Sequence, residues 1–138
     1  KPSNAWVATF VGEPQMTLLE CDIAQKNDKF LLNFEGTAIS LCEKLKASVS
    51  SSNSERLLAG VRPDKVKIET KQNDGLIKGK VFSRQLLGGD ALVEVETETT
   101  RIRAKVGVDF DLNIGDTCFV KISSNDFCLF SKDDGKAL

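Results

Sequence analysis

The sequence contains no histidine and no tyrosine. The usual general base, the commonest metal ligand and the base partner of a serine or cysteine nucleophile are therefore all missing, which weighs heavily against an enzyme. Concentrated positive charge is missing too. Nineteen basic residues against twenty acidic ones give a net charge of −1, and no segment gathers the cations that would neutralise a row of phosphates, so nucleic acid is excluded as the default partner. No apolar run approaches the roughly 20 residues of a membrane-spanning helix, and the first residues lack the apolar core of a signal peptide. Cys21, Cys42, Cys118 and Cys128 are dispersed and never form C-x-x-C. That spacing argues against a zinc site, a thioredoxin-like motif or a disulfide scaffold, and leaves reduced thiols acting as small buried hydrophobes.

A chain of 138 residues can bury roughly two-thirds of its unfolded surface as one domain, without a metal or disulfide. Ser3 and Asn4 offer caps for one short N-terminal helix carrying Trp6, Val7 and Phe10 on a face, ended by Gly12 and Pro14. Beyond it the apolar period becomes two, the mark of strands. Met16 and Leu18 share a side, as do Phe30, Leu32 and Phe34, and Gly36 turns the chain toward Ile39 and Leu41. A serine-rich loop over residues 48–54 separates two lobes of pattern, 1–56 and 57–138. In the second lobe Gly88-Gly89-Asp90 reads as a hairpin turn leading to Ala91, Val93 and Val95, which point inward. Ile102, Ala104 and Val106 repeat the alternation, followed by Cys118, Val120 and Ile122. Many short strands between regular turns, with no long helical pattern, predict an all-β fold, best fitted by Greek-key barrels of the OB type.

Three stretches imitate functional motifs. Gly75 to Lys80 resembles a phosphate loop, but three residues separate its glycines, Val81 follows where Ser or Thr belongs, and the stretch alternates like a strand. Asp109-Phe-Asp111-Leu-Asn113 opens like a calcium loop, yet Ile114 stands where the turn needs Gly and Val120 where the bidentate Glu belongs. Glu94, Glu96 and Glu98 share one side of a strand, which reads as the solvated face of an antiparallel sheet. In LLAGVRPDKVKIE (57–69), Pro63 holds Arg62 in extended geometry and Pro63-Asp64 favours a turn. The stretch is a corner, with Gly60 allowing close approach, Pro63 fixing the bend and Arg62 acting as a structural strap through its five donors.

Four stretches, in order, add up to a family. VATFVGEPQMTLL (7–19) resembles F-I-G-x-P-x-M-N-L-L, and LLAGVRPDKVKIE resembles G-I-R-P-E-D. IKGKVFSRQLLGGDALVEVE (77–96) resembles G-x-V-x-x-V-E-x-L-G-x-E, and GDTCFVKISSNDFCLFSKDDGKAL (115–138) resembles the closing G-D-x-V-x-L with L-F-D-x-x-T-G-x-x-L. These are motifs of the region that follows the nucleotide-binding domain in ATP-binding subunits of sugar-type ABC importers, the maltose and glycerol-phosphate class. Departures are Thr17 for the family's Asn, Gln85 for its Glu and Ser131 for its Asp. The first residues, Lys-Pro-Ser-Asn, read like the middle of a longer polypeptide.

The resemblance implies a carboxy-terminal regulatory domain containing the transport-associated OB (TOBE) module, without the phosphate loop, signature sequence and catalytic glutamate of its ATPase. No cofactor is then expected in this chain, since ATP and Mg would belong to the N-terminal ATPase domain. It implies as partners a second copy of the subunit, the importer's permease subunits reached through that ATPase domain, and a cytoplasmic regulatory protein. The implied location is cytoplasmic, peripheral to the inner face of the plasma membrane. Carried over by position, Gly60, Gly79, Gln85 and Phe130 fall where family members make regulatory or dimer contacts. The alternative is a small-ligand barrel of the TOBE type binding an oxyanion or sugar, for which Lys80, Ser83 and Arg84 are candidates.

Overall fold

The computed structural model describes residues 16–26, 29–41 and 56–131. The expected N-terminal helix, the loop over 48–54 and the closing residues 132–138 lie outside them. Within the described residues the fold is all-β. Its strands are β1 (Thr17–Lys26), β2 (Lys29–Phe34), β3 (Thr37–Ser40), β4 (Arg56–Val61), β5 (Lys67–Glu69), β6 (Ile77–Leu87), β7 (Asp90–Glu96), β8 (Arg101–Gly107), β9 (Thr117–Lys121) and β10 (Cys128–Ser131).

They form two five-stranded sheets, ordered β10-β4-β1-β2-β3 and β5-β9-β6-β7-β8, with antiparallel pairing throughout. The sheets divide the chain differently from the two lobes of pattern. β4 pairs with β1 over Thr17↔Val61 to Asp22↔Arg56, and β10 returns from the far end of the chain to pair with β4. Alternation sends Leu19, Leu32, Phe34, Leu57 and Ala59 from one sheet, and Ile77, Val93, Val95, Ile102 and Val120 from the other, into a single shared core. Each Leu, Ile, Val or Phe among them contributes about 1.5–3 kcal/mol when fully buried, so the core itself ties the two sheets together.

The local turn chemistry follows the residues. Leu87 pairs with Asp90 across a two-residue loop in which Gly88 has φ +71°, the positive φ that tight hairpins demand. Phe34 likewise pairs with Thr37 across Glu35-Gly36, where both loop residues have positive φ, +50° and +82°. A bulge at Phe82 interrupts the β6–β7 register between Val81 and Ser83. At the corner, Arg62 is extended (φ −80°, ψ 144°), and a single 3-10 turn over Pro63–Lys65 follows, with Pro63 buried. The stretch that imitates a phosphate loop is a turn at Gly75 followed by strand β6.

Outside the shared core lies a second, smaller apolar cluster. Met16 and Phe130 are buried there, with Leu18, Leu58 and Cys128 packed around them. These residues alternate with the core-facing ones along β1, β4 and β10, so they sit on the outer face of the first sheet.

Candidate functional site

Two buried polar side chains occur among the described residues, Thr17 and Thr97, and both join the sheets. Thr17 Oγ accepts the backbone N–H of Arg103 on β8 at 3.2 Å. Thr97 opens the connection between β7 and β8, and there the sequence T-E-T-T forms a cradle of donors. The Thr97 hydroxyl donates to Glu35 Oε2 at 2.7 Å, the Glu98 N–H donates to Oε1 at 2.9 Å, and the Thr99 N–H donates to Oε2 at 3.0 Å. The Thr99 hydroxyl donates to the same oxygen, Oε2. One carboxylate from the β2–β3 turn thus receives four donors from a loop more than sixty residues away.

Ionised acceptors make hydrogen bonds roughly twice as strong as neutral ones, so the arrangement favours the charged form of Glu35. Partial burial alone would raise its pKa, but the bonds from Thr99, Thr97 and the Glu98 amide outweigh it and hold the carboxyl below its ordinary value of 4.5. A depressed folded pKa contributes stability that is present above the unfolded value and lost as pH falls through the folded one. The charged groups facing this carboxylate are Lys78, Lys80, Glu96 and Glu98 on one side and Glu20, Asp22 and Arg56 on the other. Glu35→Gln is expected to cost about 1–2 kcal/mol at neutral pH, because charge-assisted bonds become neutral ones. Urea denaturation at neutral pH and below pH 4.5 checks this: the gap between wild type and variant should shrink in acid, and a gap independent of pH would count against the clamp.

Next to the clamp is a cavity of about 340 Å³ lined by Glu35, Lys78, Gly79, Lys80, Glu96 and Glu98, among others. It draws on both sheets, and its walls carry opposed charges. Of the residues singled out in the sequence, Gly79, Lys80, Glu96 and Glu98 line it. Ser83 and Arg84 do not. Ser83 Oγ donates to Glu94 at 2.8 Å, while Arg84 donates to the Val108 carbonyl at 3.1 Å and stands 5.9 Å from the Phe110 ring. The three residues therefore do not converge on one ligand.

Gly60 and Phe130 do come together. A Cβ on Gly60 would press on Met16 Sδ and lie 3.1 Å from the Phe130 ring. Gln85 is exposed near the end of the β6–β7 hairpin, in the other sheet. The Arg62 side chain is exposed, and among the described residues it makes no hydrogen bond or ion pair, so it straps nothing there; its carbonyl caps the corner by accepting the Lys65 N–H at 2.9 Å. Arg62→Ala is accordingly expected to stay within the ~0.5 kcal/mol of an ordinary surface substitution. A larger drop in melting would restore the strap.

The glutamates 94, 96 and 98 also divide. Glu94 accepts from Ser83, Glu96 lies 3.5 Å from Arg101, and the Glu98 backbone serves the clamp. The stretch 109–113 runs between a turn at 108–109 and one at 114–115, and the Asn113 N–H donates to the Asp116 carboxylate at 2.8 Å across the second. Burial pushes the Cys21 thiol up to about 12, helped by Asp22, and Cys118 up to about 11, helped by Asp116. Both are protonated packing groups.

Glu35 escaped the reading of the sequence because a lone glutamate in a turn looks solvated, and Glu98 reads there only as part of an exposed strand face, not as part of a loop of donors. One signal was there. A two-residue hairpin loop with positive φ at both positions favours Asn-Gly or Asp-Gly, and glutamate in the first place is the anomaly.

A model of the TOBE domain matches residues 59–130, from β4 into β10. A putative ABC transporter ATP-binding protein of Mycoplasma genitalium is 26% identical over 133 residues, covering 96% of this chain and 21% of its own length. The sn-glycerol-3-phosphate import ATP-binding protein UgpC of Pectobacterium atrosepticum is 25% identical over 135 residues, covering 98% of this chain and 36% of its own. The multiple sugar-binding transport ATP-binding protein MsmK of Streptococcus mutans is 26% identical over 112 residues, covering 77% of this chain and 29% of its own. The chain thus spans well under half of each of these relatives. Among solved structures, the cytoplasmic molybdate-binding protein ModG, with molybdate bound, has a TM-score of 0.67 at 13% identity, covering 83% of this chain and 95% of that one. That likeness shows the fold, all-β and OB-like. The relatives are matched in their TOBE part, a non-catalytic domain, and not in an ATPase core. With more than half of its residues under the family model, the chain belongs to the TOBE domain family.

Proposed function

We propose that this chain is the non-catalytic regulatory and dimerisation domain of the ATP-binding subunit of an ABC importer for sugars or related solutes, coupling the ATPase dimer to the control of transport. The observation that carries this is the shape of the matches. Nearly all of this chain aligns with one part of the importer proteins, while most of their length lies outside it. In this reading ATP and Mg are held by the ATPase domain, and the permease subunits are reached through it. A second copy of the subunit brings two such domains side by side, where a cytoplasmic regulatory protein can dock. The place of work is the cytoplasmic face of the membrane. The fold supports the reading by offering two sheets on one core, with β10 tied back to β4.

The test begins with the reading frame that encodes the chain. An upstream G-x-x-x-x-G-K-S/T is expected, and its absence would sink the proposal. In the whole subunit, removing this domain should leave nucleotide binding intact while changing the control of transport.

A second reading, ligand binding by a TOBE-type barrel, is favoured by one observation, the four donors that converge on a single carboxylate between the sheets. ModG, whose structure holds molybdate, shares this fold.

A further inference from the structure

We propose that the 97–99 loop is an oxyanion receptor whose built-in occupant is Glu35, and that a small free carboxylate takes the same place when Glu35 leaves. The proposal rests on the ligand-binding reading and gives it a site and a ligand class.

The loop holds its own shape. The Thr97 N–H donates to the Thr100 carbonyl at 2.8 Å, and the Thr100 N–H donates to Thr97 Oγ at 3.2 Å. Around the docked carboxylate two backbone amides and two hydroxyls converge on its two oxygens, the arrangement of an anion-binding concavity, and when Glu35 leaves the Thr97 hydroxyl keeps the Thr100 carbonyl at 3.2 Å as its acceptor. The occupant, by contrast, is a half-buried side chain on a two-residue turn of the other sheet, and because the Phe34–Thr37 pairing sets the turn's positive φ, the side chain can undock while the turn keeps its shape.

The surroundings choose the ligand. Lys78 and Lys80 attract an anion into the adjoining 340 Å³ cavity, while Glu96 and Glu98 oppose a second negative charge there. On the far side Glu20 and Asp22 oppose it further, against Arg56. A monoanionic carboxylate, the group the loop already holds, is favoured over sulfate, phosphate or molybdate.

Glu35 competes as a tethered ligand. Tethering sets an effective concentration in the millimolar range, so a free carboxylate displaces it from the wild-type chain only at comparable levels. Ligand and docked turn exclude each other, so each weakens the other by the same factor. Binding would thereby loosen one tie between the two sheets.

The experiment uses the full chain as wild type, Glu35→Gly, and Glu35→Gly combined with Thr97→Val and Thr99→Val. Glycine tolerates the positive φ, and Glu35→Asn, the residue that this turn type prefers before Gly36, serves the same comparison should the glycine variant not fold. Sodium formate, acetate, sulfate and molybdate are titrated at constant ionic strength, reading the backbone amide NMR shifts of Glu98 and Thr99 and the melting temperature. Formate and acetate should saturate both amides in Glu35→Gly with a midpoint at least ~10-fold lower than in wild type, since the competitor is gone, and should raise its melting temperature. The triple variant should lose this response. Saturation that survives unchanged in the triple variant overturns the site while leaving the ligand-binding reading standing. No saturable response to any anion in any variant overturns both, and sulfate or molybdate binding more tightly than acetate overturns the carboxylate assignment.

Discussion

Phe130→Ala is expected to lower the stability of the single chain by about 3–5 kcal/mol, the range for emptying a buried phenylalanine site. Phe130 is 0% exposed. It fills the outer cluster of the first sheet with Met16, Leu18, Leu58 and Cys128, and its neighbour Leu129 points the other way into the shared core. Strand β10 is thus held from both faces, although it lies at the edge of its sheet. Emptying the Phe130 site loosens the strand that ties the end of the chain to β4. Family position suggested a contact with a partner subunit, but a ring with no exposed surface acts first through its own fold. Urea denaturation of the isolated chain checks this. A variant with unchanged midpoint but altered subunit contact would reverse the assignment.

The second large effect is expected at Gly79. An alanine Cβ there would lie 2.6 Å from Val95 Cγ1 and 2.7 Å from the Glu96 carbonyl oxygen. Val95 is fully buried. Glu96 is paired on one side with Lys80 and on the other with Arg101, so its backbone cannot retreat without breaking register with β6 or β8. Gly79→Ala is expected to cost about 3 kcal/mol, at the upper end of overpacking, and to lower the melting temperature by roughly 10 °C. Gly60 is the internal comparison. Its alanine would meet the ends of Met16, Phe130 and Leu18, not backbone, and a flexible thioether gives way more easily, so Gly60→Ala should cost less, about 1–2 kcal/mol. Thermal melts of both variants decide it. A Gly60 variant less stable than the Gly79 variant would show that the outer cluster is stiffer than its side chains suggest.

The glycines also show which kind of information the sequence carried. That Gly60 admits close approach was readable, because a glycine inside an alternating apolar run beside Arg-Pro-Asp has few other uses. What approaches it was not, since Met16 and Phe130 lie at opposite ends of the described chain. The same holds for the corner. Pro63 and the extended Arg62 are local consequences of proline geometry, and both are present. The guanidinium's partners depend on which distant groups the fold brings near, and the exposed side chain meets none among the described residues.

Strand positions, the Gly88-Gly89 hairpin, the inward set Ala91, Val93 and Val95, and the family resemblance all followed from the sequence. They depend on short-range rules: period-two alternation, turn residues with positive φ, and motif spacing. The tertiary structure alone decided that β4 and β10 join the first sheet, that Phe130 is buried, and that Glu35 reaches the 97–99 loop. These depend on which distant segments pair, and a local pattern is silent about that, because any alternating strand offers the same edge to many partners. A carboxylate in a turn reads as solvated until a second segment, more than sixty residues away, supplies the donors that desolvate and hold it.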